Sequence, residues 1–518
     1  MTSAILTRRS ILLGGLAAAA LARPAFAQSQ SPFSMGVASG DPASDGFVLW
    51  TRLAPDPLAL DGQGGMTAPG AVKWTVYGDE ALQKPVLTGE ATTSPLTAHT
   101  LHVEVAGLKP DRFYWYRFEA QGAQSRTGRA RTLPLATARP GQLKIAFASC
   151  SHYELGYFSA YRHMAAENPD FVMYLGDYIY EYSYKPDKAV VRRQERQDNI
   201  RDLPAYRNRY ATHHLDEDLQ ALRATTTALM TWDDHEVQND YGGFLSQYMK
   251  DDVNMVALRT AAYQAYYEAM PLRSVSHARG PYLDLYKGYR FGTLAEINML
   301  DGRQYRSAQA CPNGDARKGH VATDACTDRL APNRSMLGMA QEKWLYGRFA
   351  KSQATWNLMG QDLLVAGYVQ KGKDKDKNEI IGHYTDGWDG YPATRDRLLA
   401  AMQATKVKNP VMLGGDIHSY WATELKTAPD GPTIATEFVG TSITSDNPPH
   451  DEFAALLPEN PHVKYFNARS HGYATVTLRP DHMETQFQAI SDRADRNATV
   501  ATEKRFVVEA GKAAVITG

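Results

Sequence analysis

Phe171-Val172-Met173-Tyr174-Leu175-Gly176-Asp177-Tyr178-Ile179-Tyr180 is a run of five apolar residues, then a glycine, then a carboxylate and a phenol three residues apart. A short apolar run closed by Gly predicts a strand buried on both faces. A polar group just beyond such a strand stands where open α/β sheets bind their ligands. The same grammar recurs along the chain. Leu143–Ala148 runs into Ser149-Cys150, residues 228–232 into Asp233-Asp234-His235, residues 294–300 into Asp301, and Val411-Met412-Leu413 into Gly414-Gly415-Asp416-Ile417-His418. Helical patterns at 158–167 and Met255–Ala269 lie between them. Together these predict an α/β region over 141–518 with one convergent polar site.

Upstream, residues 33–135 read differently. Short β-rich runs at 46–51, 72–77 and 101–105 are set between Gly, Pro and Asp. They are followed by Leu108-Lys109-Pro110-Asp111-Arg112-Phe113-Tyr114. That L-x-P-x-x-x-Y pattern is similar to the tyrosine corner of fibronectin-like sandwiches, in which a Tyr hydroxyl bonds back to nearby backbone. The segment predicts a small all-β scaffold domain, joined to the α/β region through a Pro/Gly-rich linker at 133–141.

Residues 1–27 read as a leader. Thr7-Arg8-Arg9-Ser10-Ile11-Leu12-Leu13 has the twin-arginine form, an apolar stretch follows over 11–22, and Ala25-Phe26-Ala27 is a small-x-small cleavage site. Twelve residues span about 18 Å as a helix, short of the ~30 Å hydrocarbon core, which argues against a stable membrane anchor. The expected address is periplasmic or secreted, with the twin-arginine translocase as a transient partner. The whole chain has 518 residues, with 56 Lys and Arg against 57 Asp and Glu. Losing Arg8, Arg9 and Arg23 with the leader leaves 53 against 57, a net charge of −4. That balance supplies no electrostatic case for nucleic acid or acidic lipid. Three cysteines cannot build a disulfide scaffold. Cys311 and Cys326 share one loop-like stretch and could pair after export, although a bridge to Cys150 stays open. Lys371–377 (KGKDKDK) reads as a solvated loop.

Each strand-end group has an ordinary alternative. Asp177 could cap a turn, Tyr180 could pack, and Cys150 could be an inert thiol. Asp233-Asp234-His235-Glu236 is harder to explain that way, because burying such a cluster without a cation is costly. Asp416 and His418 alternate, so an extended segment would point both the same way. Carboxylate and phenolate oxygens suit hard ions, while thiolate and imidazole suit transition metals. A mixed set fits two unlike ions, and paired ions clamp an in-line displacement at phosphorus. No G-x-S-x-G elbow offers a serine nucleophile instead.

Five motifs, Phe147-Ala148-Ser149-Cys150, Leu175-Gly176-Asp177-Tyr178-Ile179-Tyr180-Glu181, Trp232-Asp233-Asp234-His235-Glu236-Val237, Leu300-Asp301-Gly302-Arg303-Gln304-Tyr305-Arg306 and Gly414-Gly415-Asp416-Ile417-His418-Ser419, carry a resemblance. The chain resembles the PhoD-type alkaline phosphatases, a metallophosphoesterase branch related to purple acid phosphatases. The resemblance implies a metallophosphoesterase-like β-sandwich flanked by helices, behind the small β domain. It implies Fe³⁺ held by Cys150, Asp177 and Tyr180, with Asp177 bridging to one or two Ca²⁺. Asp234, Asp416 and His418 match further ligands, and Asp233 and Asn239 are candidate outer calcium ligands. Arg303 is the candidate to grip phosphate oxygens through its guanidinium fork, and His235 to orient or donate a proton to the leaving group. Ser151 and Gly302 depart from the frequent Gln and Thr of relatives.

The implied activity is release of phosphate from small-molecule monoesters by a metal-bound hydroxide. A phosphodiesterase acting on lipid, teichoic-acid-like or nucleotide diesters is the first alternative, and a non-catalytic phosphate-binding protein the second. Room around the site for a second ester arm would separate the first two, and residues 182–214 and 372–391 are the segments expected to line it.

Overall fold

Alternation along Leu143–Ala148 sends Leu143, Ile145 and Phe147 into one core and Ala146 and Ala148 into another. The neighbouring strands Phe171–Leu175 and Thr227–Thr231 do the same, and all three run parallel. Two-faced burial of this kind is what parallel strands require, and it explains their nearly continuous apolar runs. The computed structural model describes residues 31–518 except 185–191, 196, 249–253, 315–316 and 429. The leader proposed for 1–27 lies outside the described residues.

Among the described residues the three strands sit within a ten-stranded sheet. A seven-stranded sheet faces it, with Ala295–Met299, Trp356–Gly360, Pro410–Gly414 and Thr433–Val439 parallel at its centre. One core lies between the sheets, where Ile145, Phe147, Met173 and Leu175 meet Ile297, Leu358, Val411 and Phe438. The helices Ser159–Ala166, Leu203–His214 and Met255–Ala269 cover the outer face of the first sheet. Met339–Lys351 and Pro392–Thr405 cover that of the second. The result is the helix-flanked sandwich that the resemblance implied.

The N-terminal region forms a separate, smaller sheet from Ala71–Tyr77, Pro85–Thr92 and Phe113–Ala120 with short partners. Tyr114 makes the expected corner: its hydroxyl accepts from the Lys109 amide at 2.9 Å and donates to the Lys109 carbonyl at 3.3 Å. One organisational difference appears. The strands Val37–Ala43, Gly46–Arg52 and Thr100–Val105, which belong to the N-terminal segment in sequence, are the far edge of the ten-stranded sheet. Val37–Ala43 pairs in parallel with Thr227–Thr231. The two segments therefore share a sheet, because an unpaired parallel edge would leave a row of backbone groups unsatisfied.

The mixed-charge run at 371–377 is also not simply a loop. Val369–Lys373 pairs with Glu379–Tyr384 in a hairpin, and Asp374 ties the turn by accepting from the Asp376 and Asn378 amides at 2.9 and 2.8 Å. Its exposed lysines, Lys371 and Lys373, hid this strand, which carries no long apolar pattern. Cys311 and Cys326 are bonded, and Cys150 is free and buried. No helix among the described residues is long and apolar enough to cross a membrane.

Candidate metal centre

Parallel strands of both sheets end at one edge, and each ends in a polar side chain. Cys150, Asp177, Asp234, and the pair Asp416 and His418 are delivered there by four different segments. The turns that deliver them are tight. Cys150, Asp177, Asp416 and His418 all take left-handed backbone, with φ of 61°, 50°, 61° and 51°. Each costs of order 1 kcal/mol for a residue with a Cβ. Asp416 and His418 thus leave a coiled turn, not the extended segment their spacing suggested, yet both still line the cavity. Gly176 precedes Asp177 at φ +97°, and a Cβ there would sit 2.4 Å from that of Asp233. Gly302 is equally constrained, because a Cβ would meet the Asp362 carboxylate at 2.4 Å. The departure from Thr at that position therefore matches the buried acid behind it.

Ligand-capable atoms of Cys150, Asp177 and His418 lie within 4.8 Å of one another, and so do those of Asp177, Asp234 and His235. Asp177 belongs to both groups. The Tyr180 hydroxyl is 2.8 Å from Asp177 Oδ2 and 3.4 Å from His418 Nε2, and Ser445 Oγ donates to it at 2.6 Å. His418 Nδ1 is 2.7 Å from the Asp446 carbonyl. A carbonyl only accepts, so Nδ1 carries the proton and Nε2 keeps its lone pair toward Tyr180. His235 is oriented in the same way by Glu181 Oε2 at 2.7 Å. Glu236, the fourth polar residue of its run, is a tie: its carboxylate accepts from the amides of Asp177, Tyr178 and Asp233 at 3.2, 2.6 and 2.9 Å.

The electrostatics are those of an anionic pocket. Burial, with Asp234 and Asp416 nearby, pushes Asp177 up to about 8. Burial and the surrounding carboxylates also hold Asp416 well above its ordinary value, and burial with Asp177 does the same to the Cys150 thiol and the Tyr180 phenol. Asp234 goes the other way, as Arg303 and His235 outweigh its burial. Burial, with His235 nearby, takes His418 down to about 4, keeping the imidazole neutral. Buried Oδ1 atoms of both Asp177 and Asp234 have no hydrogen-bond partner. Orphan carboxylate oxygens, a thiol and the neutral His418 lone pair, all converging, fit cations and fit little else.

Two expected residues stand elsewhere. Arg303 is fully buried and does not line the cavity. Its Nε is bonded to Asp233, its Nη1 reaches Asp386 at 2.8 Å, and Nη2 lies 3.8 Å from Asp234 and 4.0 Å from Asp416. A buried carboxylate cluster needs an internal counter-charge, and Arg303 supplies it from behind the acids. Asp233 is correspondingly turned to Arg303 through Oδ1 and is absent from the cavity wall, while its buried Oδ2 has no hydrogen-bond partner. Asn239 does line the cavity, with its Nδ2 on Gln247 at 3.0 Å.

Several residues were not foreseen. Asp240 and Asp386 form a third close group with Asp234, and Asp362 sits 3.5 Å from Arg303. Asp362 ends Trp356–Gly360 by the same strand-then-acid grammar and could have been read; Asp240 and Asp386 lie in irregular segments with no such signal. A cavity of about 370 Å³ opens over the site. Tyr384, Gly387, Trp388 and Asp389 from the 372–391 segment line it, none of the described residues of 182–214 does, and the loop through Asp446 and Phe453 closes the other side.

Residues 145–487 match the family model described as PhoD-like phosphatase, and residues 17–134 match the PhoD-like phosphatase N-terminal domain. The chain is 40% identical over 493 residues to alkaline phosphatase D of Bacillus subtilis (strain 168), covering 93% of this chain and 81% of that protein. A solved structure of PhoD superposes with a TM-score of 0.87 at 39% identity, covering 95% of this chain and 92% of the other. Purple acid phosphatase PPD1 from yellow lupin seeds superposes at 0.53 and 9% identity, covering 92% of this chain and 73% of the other, a likeness of fold alone.

Proposed function

The chain belongs to the PhoD-like phosphatase family, and on that premise we propose that it is an exported, metal-dependent phosphohydrolase releasing inorganic phosphate from monoesters. The observation that carries the reading is the pair of ligand groups sharing Asp177, with unpartnered carboxylate oxygens, at the floor of a cavity. Cys150, Asp177, Tyr180 and His418 would hold Fe³⁺, whose affinity for thiolate, phenolate and imidazole suits that set. Asp177, Asp234 and Asp416, with Asp240 and Asn239 adjacent, would hold one or two Ca²⁺. Bound there, such cations would supply charge to draw in the phosphate and acidity to make a water nucleophilic near neutral pH.

The chain's own residues do the rest. Glu181 fixes the His235 ring over the floor, where it can steady or protonate the departing alcohol oxygen. Asp446 and Ser445 hold His418 and Tyr180 in place, and Arg303 balances the acids from below. The twin-arginine motif of residues 7–13 supports export after folding, which suits a protein loaded with metal beforehand. The space left in a cavity of about 370 Å³ favours a diesterase as the second reading, since a second ester arm has somewhere to go.

The test compares p-nitrophenyl phosphate with its bis-ester near pH 9, with and without a calcium chelator, on protein whose iron and calcium have been measured. Monoester turnover lost to the chelator is expected. Turnover that ignores the chelator would overturn the metal assignment, and absence of turnover from fully loaded protein would favour a phosphate-binding role.

A further inference from the structure

The cavity has two unlike halves. Its floor is the acidic ligand set, while its wall is built from Leu364, Tyr368, Trp388, Ile417, Pro448 and Phe453. The rings of that wall are held in place. The Tyr368 and Phe453 rings stack at 5.6 Å and 4°, the Tyr368 hydroxyl donates to the Phe453 carbonyl at 2.5 Å, and Trp388 Nε1 donates to Gln361 at 3.2 Å. A wall already ordered gives up little entropy when a flat or apolar group settles on it.

The wall also lacks something. Among the described residues that line the cavity there is no Lys and no Arg. Two guanidinium groups beside the wall are already committed to its carboxylates: Arg395 Nη1 bonds Asp389 at 2.6 Å, and Arg493 bonds Asp446. A negative charge on the alcohol side of a substrate would lose water and meet wall carboxylates in return, with no Lys or Arg facing it.

We propose that the wall selects phosphate esters whose alcohol is apolar or aromatic and carries no further negative charge, so that alcohols bearing a second phosphate are rejected. This rests on the phosphohydrolase reading, which assigns the floor to the transferred phosphate.

The experiment uses the metal-loaded protein and three esters with the same reacting carbon chemistry or smaller: benzyl phosphate, its 4-phosphonomethyl derivative, and methyl phosphate. Benzyl phosphate is expected to have kcat/KM at least tenfold above each of the others. Gln370→Lys, which places a cation on the wall, is expected to raise kcat/KM for the phosphonomethyl ester at least threefold relative to benzyl phosphate. Calorimetric Kd values for benzylphosphonate and 1,4-bis(phosphonomethyl)benzene report the same preference without turnover. Equal kcat/KM for benzyl phosphate and its phosphonomethyl derivative, or equal Kd for the two phosphonates, would overturn the selectivity. Loss of all turnover while the Kd values still differ would instead count against the phosphohydrolase reading alone.

Discussion

Arg303 shows how far a single residue's chemistry can be read before its surroundings are known. A guanidinium among phosphoesterase motifs suggests a phosphate clamp, yet this one is enclosed by Asp233, Asp386, Asp234, Asp362 and Asp416. Removing one partner of a buried ion pair typically costs about 3–5 kcal/mol. Arg303→Met is accordingly expected to lower unfolding free energy by roughly that amount in denaturant titration. A residue that only touched phosphate would leave the unfolding midpoint alone and raise KM. The acids it serves also set a pH dependence. Burial, then neighbouring carboxylates, hold Asp177 and Glu236 up to about 8, against ordinary values near 4 in the unfolded chain. Between those limits the unfolded chain binds fewer protons than the native one, so stability without metal falls as pH rises from about 4 to about 8 and then levels off. His235, held protonated by Asp234, Glu181 and Asp177 against its burial, contributes with the same sign, since its stabilisation is lost as pH climbs. Thermal melts from pH 5 to 9 should show chelated protein weakening with pH while metal-loaded protein does not. Equal stability of the chelated form at both ends would contradict this.

At the scale of the element, the segment closed by Cys311 and Cys326 is more than a surface staple. Its Gly319 amide donates to Asp240 at 2.8 Å, and its strand Val321–Ala322 pairs with Glu379–Tyr384, the strand that leads into Asp386. Closing a loop of about 15 residues is worth roughly 3 kcal/mol in the chain-entropy account. The double variant Cys311→Ser/Cys326→Ser should therefore unfold about 2–3 kcal/mol more easily. It should also bind calcium more weakly by calorimetry, because the Asp240 carboxylate loses its fixed donor; unchanged calcium affinity would confine the disulfide to a structural role.

At the scale of the molecule, the shared ten-stranded sheet predicts one cooperative unit over residues 31–518. Hydrogen bonds from Val37–Ala43 to Thr227–Thr231 cross between the two segments, and Ala224 packs within the N-terminal core. Scanning calorimetry of the mature chain should give a single transition with equal calorimetric and van't Hoff enthalpies. Two separated transitions would show that the segments melt independently.

What the sequence by itself determined is local. Apolar runs ending in Cys, Asp or His marked the buried parallel strands and most of the residues at their ends, because a strand buried on both faces must be apolar throughout and must stop where polarity begins. The Leu108–Tyr114 pattern marked a corner that closes within six residues, and local geometry suffices for that. Tertiary structure decided what depends on neighbours distant in sequence. It turned Arg303 and Asp233 inward, brought Asp240 and Asp386 beside Asp234, and placed the N-terminal strands on the edge of the catalytic sheet. Each of those outcomes follows from pairing buried charges or backbone groups, and a sequence read in order does not say which charges or edges will meet.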